Sequence, residues 1–119
     1  QVEVKFTGKL TKVEWADLSK NYNLFLNTTH FDNTPISVIE AMALGLPVVS
    51  TNVGGIPFLL QHEKNALLVA DNDLEAMVYQ IERLFSEPEL SDVLVANAHC
   101  LVKGFDWNVI RNQWIDLLR

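Results

Sequence analysis

The strongest constraint on the fold is the segment Pro-Val-Val-Ser-Thr at residues 47–51, an apolar strand-like run that closely follows a helix-like segment. A strand with apolar side chains on both faces has to be covered on both, which is typical of parallel sheets flanked by helices. The preceding helix is predicted at residues 35–44, where Gly45 ends it, and a second buried strand at residues 65–69. This alternation predicts an α/β protein.

The remaining elements extend the same alternation. Apolar and polar residues alternate at residues 2–6, which predicts a first strand, and residues 23–29 predict another. Further helices are predicted at residues 11–19, within the segment 52–60, at 74–85, from Ser86 and from Asp106. Asn72 and Glu75 are placed as a capping box for the helix at 74–85. About four strands joined by right-handed crossovers predict a doubly wound, Rossmann-like parallel sheet flanked by helices.

The charge of the chain excludes one class of partner. Its formal net charge is −6, whereas nucleic-acid affinity depends on clustered Lys and Arg. Four of the nine basic residues fall within the first twenty positions, where they predict a solvated face: Lys5, Lys9, Lys12 and Lys20. We therefore expect no nucleic-acid partner.

The cysteine and histidine content argues against disulfides and metals. Cys100 is the only cysteine, which excludes an intrachain disulfide and a cysteine-rich metal site. His30, His62 and His99 lack the spacing of a metal-binding pair. No apolar stretch reaches the roughly 20 residues that span a bilayer. We expect a cytoplasmic protein without a transmembrane segment, and peripheral membrane association of the full-length protein is left open.

Ligands of doubly wound sheets bind beyond the carboxyl ends of the strands. Three loops are predicted at that edge, namely the loop after Phe6, residues 28–34 and residues 52–57. Thr34 is predicted as the N-cap of the following helix and Pro35 as its first residue. The free amides of the next two residues, with the helix dipole, would make an anion site suited to a diphosphate. The alternative is a loop that caps the helix itself and binds nothing.

The same helix is apolar almost all round, except at Ser37 and Glu40, and we therefore expect it to be covered on most sides. These two residues are three positions apart and share one face. A carboxylate in a packed core is costly unless it is paired, so Glu40 predicts a solvated cleft or a polyhydroxyl ligand, with a Lys or Arg partner as the alternative. Gly54 and Gly55 follow a strand directly, where paired glycines permit close approach of a ligand or form a tight turn.

Residues 4–68 resemble the nucleotide-sugar-binding half of retaining glycosyltransferases with the two-domain GT-B fold, in the group 1 family. The family pattern is an acid, seven residues and then "EAMA-G-PVV-T", which begins with the Glu, followed by "GG-P". The sequence has DNTPISVIEAMALGLPVVSTNVGGIP from Asp32, and the aromatic residues Phe105 and Trp107 resemble the start of the closing helix of the family. The resemblance implies the C-terminal half of a GT-B fold.

The resemblance also implies roles for individual residues. Glu40 would accept hydrogen bonds from the ribose of a nucleotide diphosphate sugar, and Asp32 would hold the donor sugar, which makes them the predicted catalytic residues. The other implied substrate-binding residues are Asn33, Thr34, Ser37, Gly54 and Gly55, with Gly8, Lys9 and Leu10 beside the base. The donor is a substrate, and neither a metal nor another cofactor is implied.

Several positions depart from the family pattern. Asp32 stands where Glu is usual, Asn33 and Ala66 stand where glycine is common, and Phe58 replaces a frequent Glu. The family also carries an acceptor-binding half and a basic pair ahead of the matched region. We therefore expect residues 1–119 to be a single, truncated donor-binding domain that is inactive alone and lacks its N-terminal acceptor-binding half.

Two other interpretations remain open. A GT-B sugar-nucleotide epimerase or phosphorylase would share the scaffold, although no lysine stands out as a pyridoxal-phosphate site. A non-catalytic α/β module that binds a partner is favoured by the departures at Asp32, Asn33 and Phe58. The sequence contains neither GxxxxGK[ST] nor GxGxxG, which argues against ATPase and dinucleotide-binding functions.

Overall fold

The computed structural model describes residues 2–119. In these residues three strands alternate with helices, and three further helices follow the last strand. The elements are α1 (Lys12–Ser19), β1 (Phe25–Asn27), α2 (Ile36–Ala43), β2 (Val48–Thr51), α3 (Ile56–Leu59), β3 (Leu67–Val69), α4 (Leu74–Ser86), α5 (Pro88–Lys103) and α6 (Trp107–Leu118).

The sheet is parallel throughout, with the order β1-β2-β3. Its middle strand β2 is buried at every position, and successive side chains of β2 enter different apolar clusters. Val48 packs with residues of α2 and α3, whereas Val49 packs with residues of β3 and α4. Helix α5 contributes Ala98 to the first cluster and Leu94 to the second. The predicted parallel α/β fold is confirmed.

The predicted strand at residues 2–6 is wrong. Among the described residues the sheet has three strands, where about four were expected, and residues 2–7 pair with none of them. Val2, Val4 and Phe6 are all exposed, Phe6 by 93%. Alternation of side chains suits a segment to a strand, but a strand forms only where a neighbouring edge accepts its hydrogen bonds.

Two predicted helix starts are also wrong. Helix α4 is capped by Asp73, whose carboxylate accepts from the Ala76 amide at 3.0 Å. Asn72 has a φ of +61° and lies in the turn before the cap. Helix α5 begins at Pro88 after Glu87, so Ser86 is the last residue of α4. In both places adjacent residues offer competing start signals, and the turn geometry selects between them.

The last helix, α6, begins after the predicted residue Asp106, whose side chain accepts from the Asn108 amide at 2.8 Å. None of its residues is buried, and the apolar side chains of Trp107 and Trp114 are exposed. In residues 2–119, no helix combines the length and the hydropathy that crossing a bilayer requires.

The core assignment predicts the effect of matched leucine substitutions. Leu94 is 0% exposed and Leu117 is 75% exposed. Leu94→Ala should lower the free energy of unfolding by about 2–5 kcal/mol, because it removes buried methyl groups and leaves a cavity. Leu117→Ala should change it by less than about 0.5 kcal/mol. Urea denaturation measures the free energy of unfolding of both variants. Similar losses for the two would contradict the burial of Leu94 in the core.

Candidate functional site

The loops that follow β1 and β2 are joined at the carboxyl edge of the sheet. The Thr51 hydroxyl at the end of β2 donates to the Thr29 carbonyl at 2.5 Å. The Gly55 amide donates to the Asp32 carbonyl at 2.7 Å. The loop that carries the predicted acid Asp32 is therefore fixed by backbone and side-chain contacts to the glycine loop.

The glycine pair is required by this contact. Gly54 has a φ of +56°, and a Cβ there would overlap the Asp32 carbonyl oxygen. A Cβ on Gly55 would overlap the Asn33 carbonyl oxygen. Both glycines permit a close approach, and the group that approaches is the backbone of residues 32–33. Their predicted role as ligand contacts is untested, and their role in placing the Asp32 loop is structural.

Helix α2 begins one residue later than predicted, because its N-cap is Pro35 and Ile36 is its first residue. Thr34 is exposed and does not cap the helix. The Pro35 carbonyl accepts from the Val38 amide at 3.0 Å, and no side chain caps the helix. Among the described residues, no acceptor faces the amides of Ile36 and Ser37. The N-terminus of α2 therefore presents two open donors, and the side-chain capping expected in the alternative interpretation is absent among the described residues.

A cleft of about 310 Å³ lies beside α2. Its lining residues are Gly8, Leu10, Thr11, Lys12, Trp15, Phe25, Ser37 and Glu40. The structure thus brings together four of the predicted site residues from two distant segments, and Lys9 is not among those that line the cleft. Asp32, Asn33, Gly54 and Gly55 lie outside it, at the carboxyl edge of the sheet.

Glu40 forms an ion pair across this cleft. Its Oε1 atom is contacted by Nζ of Lys12, the first residue of α1. A capping box between Thr11 and Glu14 fixes the start of α1. The sequence predicted a solvated cleft or a polyhydroxyl ligand for Glu40, with a basic partner as the alternative. The structure shows both a cleft and a basic partner. Sequence analysis missed Lys12, although the Thr-x-x-Glu spacing could have located the helix start beside it.

Two aromatic side chains also line the cleft. Trp15 of α1 and Phe25 of β1 have ring centroids 5.8 Å apart and planes inclined by 53°. Both are partly buried and pack against the cluster that contains Val48. The cleft therefore combines an aromatic surface with the ion pair of Lys12 and Glu40.

The acidic loop is less enclosed than the cleft. Asp32 is partly buried and Asn33 is exposed, and no donor in residues 2–119 reaches the Asp32 carboxylate. Of the other departures from the family pattern, Phe58 is 95% exposed, whereas Ala66 is fully buried in the core. The methyl group that Ala66 adds at this position therefore packs within the apolar core.

The prediction that α2 is covered on most sides is wrong at three apolar positions. Ile36 is 64% exposed, and Ala43 and Leu44 are exposed as well. The side chains of Val38 and Met42 are fully buried. One face of α2 therefore packs on the sheet, and the other joins the cleft and the solvent.

A second cleft, of about 340 Å³, opens where the loops after β1 and β3 meet. His30 Nδ1 lies 2.6 Å from Asp71 Oδ1 at this place, and Thr28 and Thr51 also line the cleft. No predicted site residue lines it. Within residues 2–119, no group of His, Cys, Asp or Glu side chains is arranged to hold a metal ion.

Comparison with known proteins identifies the family. Residues 1–87 match the family model of the group 1 glycosyl transferases. The chain belongs to this family. The match contains both predicted acids and the glycine pair, whereas all of α5 and α6 lies beyond it.

Individual group 1 relatives agree with this assignment. An uncharacterized glycosyltransferase of Haemophilus influenzae is 32% identical over 88 residues, which are 73% of this chain and 25% of the relative. The sucrose-phosphate synthase of Thermosynechococcus elongatus superposes with a TM-score of 0.85 at 29% identity, covering 97% of this chain and 29% of that one. The crystal structure of Anabaena HepE in complex with UDP superposes with a TM-score of 0.78 at 24% identity, covering 85% of this chain and 28% of that one.

The structural neighbours confirm the fold of the C-terminal domain of GT-B glycosyltransferases. The chain spans between 21% and 30% of the length of the curated relatives it matches.

The loop contact predicts different effects at two glycines. Gly55→Ala should force the loops at residues 32 and 55 apart and lower the free energy of unfolding by about 1–3 kcal/mol. Gly104→Ala should change it by less than about 0.5 kcal/mol, because φ there is −68° and the nearest atom, the Leu101 carbonyl oxygen, would be 3.3 Å away. Thermal or urea unfolding measures both changes. Equal changes in the free energy of unfolding for the two variants would contradict the contact between the loops at residues 32–33 and 54–55.

Proposed function

We propose that this chain is the donor-binding domain of a retaining glycosyltransferase, which transfers a sugar from a nucleotide diphosphate sugar to an acceptor. The observation that carries the proposal is the cleft in which Gly8 and Leu10 meet Ser37 and Glu40, next to the open N-terminus of α2. Membership of the group 1 family supports the same reaction class.

The amides of Ile36 and Ser37 would bind the diphosphate. A helix N-terminus carries partial positive charge, and its unpaired N–H groups point toward an anion. During transfer, the bond between the sugar C1 and the phosphate oxygen breaks, and negative charge develops on the leaving diphosphate. Preorganised donors stabilise such charge without reorganising. In this proposal neither a metal nor a cofactor takes part.

Glu40 would accept hydrogen bonds from the ribose hydroxyls. Its Oε1 atom is paired with Lys12, and a carboxylate has lone pairs for further donors on its second oxygen. The base would lie near Gly8 and Leu10, against the aromatic side chain of Trp15. Binding of UDP by HepE, as its structure records, supports a nucleoside diphosphate as the ligand class.

Asp32 would hold hydroxyl groups of the donor sugar, with the backbone of Asn33 and Thr34 beside the diphosphate. The aspartate is one methylene shorter than the glutamate usual at this position, so its reach toward the sugar is reduced. The contact between Gly55 and the Asp32 carbonyl keeps this loop in place, and geometric positioning of reactants accounts for a large part of such catalysis.

The acceptor would bind to an N-terminal half of the same protein, which would complete the active site in the cytoplasm. Residues 1–119 would then bind the donor weakly and show no transfer alone. The aspartate and the α2 amides lie at the carboxyl edge of the sheet, where a second domain would meet the donor sugar.

Replacement of Glu40 tests the proposal. Glu40→Gln removes the charge from the acceptor of the ribose hydrogen bonds, which are worth about 1.5–3 kcal/mol when the acceptor is charged. We expect the Kd for the tightest ligand in a panel of UDP, GDP and ADP to rise by about tenfold or more. Isothermal titration calorimetry on the 119-residue chain measures it.

Glu82→Gln is the matched control, because Glu82 is exposed on α4 and should leave the Kd unchanged. An unchanged Kd for Glu40→Gln would remove Glu40 from nucleotide recognition. If the wild type shows no heat of binding with any nucleotide of the panel, the partner-binding module is favoured instead.

A further inference from the structure

The contact between Lys12 and Glu40 joins two helices that are far apart in sequence. Lys12 is the first residue of α1 and Glu40 lies in the middle of α2. The side chain of Lys12 is 78% exposed, whereas that of Glu40 is 25% exposed. The lysine therefore reaches from solvent over the cleft to a carboxylate that the protein largely encloses.

The ion pair occupies only part of the carboxylate. Nζ of Lys12 contacts Oε1 of Glu40, and no donor in residues 2–119 reaches Oε2. An ionised carboxylate has about four lone-pair positions, so the lysine leaves acceptor capacity free. One oxygen is held by the protein, and the other remains available in the cleft.

A second lysine beside α1, Lys20, makes only a local ion pair. Lys20 follows the last residue of α1, and its Nζ lies 3.1 Å from Oδ1 of Asp17, three positions earlier in the chain. This local pair has no connection with α2. Lys12 is placed over the cleft by the capping box of Thr11 and Glu14, whose reciprocal hydrogen bonds fix the first turn of the helix.

We propose that Lys12 is a positioning residue for nucleotide recognition, which holds Oε1 of Glu40 and so presents Oε2 to the ribose hydroxyls. The inference rests on the proposed function, because it assumes that Glu40 binds the ribose. Because the side chain of Lys12 is largely exposed, the ion pair contributes little to folding stability. The contribution of Lys12 lies in restricting the rotamers of Glu40 before the ligand arrives.

Ligand analogues separate positioning from simple charge attraction. The test compares wild type with Lys12→Met, each titrated with UDP and GDP and with their 2′,3′-dideoxy forms, which keep the diphosphate but lack the ribose hydroxyls. Lys12→Met should raise the Kd of the hydroxylated nucleotide by about fivefold or more and change that of its dideoxy form less than about twofold. Isothermal titration calorimetry measures each Kd.

Two further variants complete the design. Lys12→Arg keeps the cation and should recover most of the affinity, whereas Lys20→Met removes a lysine that has no contact with the cleft and should leave binding unchanged. Urea denaturation of each variant checks the fold. Because Lys12 is largely exposed, we expect all of them to unfold at nearly the wild-type concentration.

Each other outcome overturns the inference. Equal losses for hydroxylated and dideoxy nucleotides would mean that Lys12 attracts the diphosphate directly. Tighter binding by Lys12→Met would mean that Lys12 competes with the ribose for Glu40. If Glu40→Gln weakens binding and Lys12→Met does not, the inference fails and the proposed function stands. If the wild type binds no nucleotide, both fail.

Discussion

The structure depends on the burial of β2 on both faces. Val48 and Val49 are adjacent in the chain and fully buried, yet they pack into different apolar clusters. A strand of this kind has to lie between two layers of helices, which fixes a three-layer arrangement and a parallel sheet. The carboxyl ends of β1 and β2 then lie side by side, and the loops that carry Asp32 and the glycine pair come into contact there.

Helix α2 connects this core to the site. Val38 and Met42 are buried against the sheet, while Ser37 and Glu40 line the cleft on another face of the same helix. Pro35 enters the helix as the N-cap without a capping side chain, which leaves the first amides open. Packing of the apolar face therefore determines where both the donor amides and the carboxylate stand.

The sequence predicted the elements whose signals are local and strong. The apolar segment at β2 and the helix ended by Gly45 both formed as expected, because burial and a breaker acted together. The strand at residues 2–6 could not be decided from its own pattern, since strand formation depends on a neighbouring edge. Thr34 and Asn72 were wrong as caps because neighbouring residues compete for the same turn.

The part of the site predicted best was the spacing of Glu40 and Ser37 on one helix face. The partner of Glu40 was foreseen only as a type of residue, because Lys12 approaches from a separate helix 28 positions away in sequence. The most direct measurement is the backbone NMR shift of Ile36 and Ser37 during titration with UDP or GDP and with the matching nucleoside. We expect the diphosphates to shift both amides and the nucleosides to shift neither; unmoved amides at saturating diphosphate, or equal shifts with the nucleosides, would contradict diphosphate binding at the N-terminus of α2.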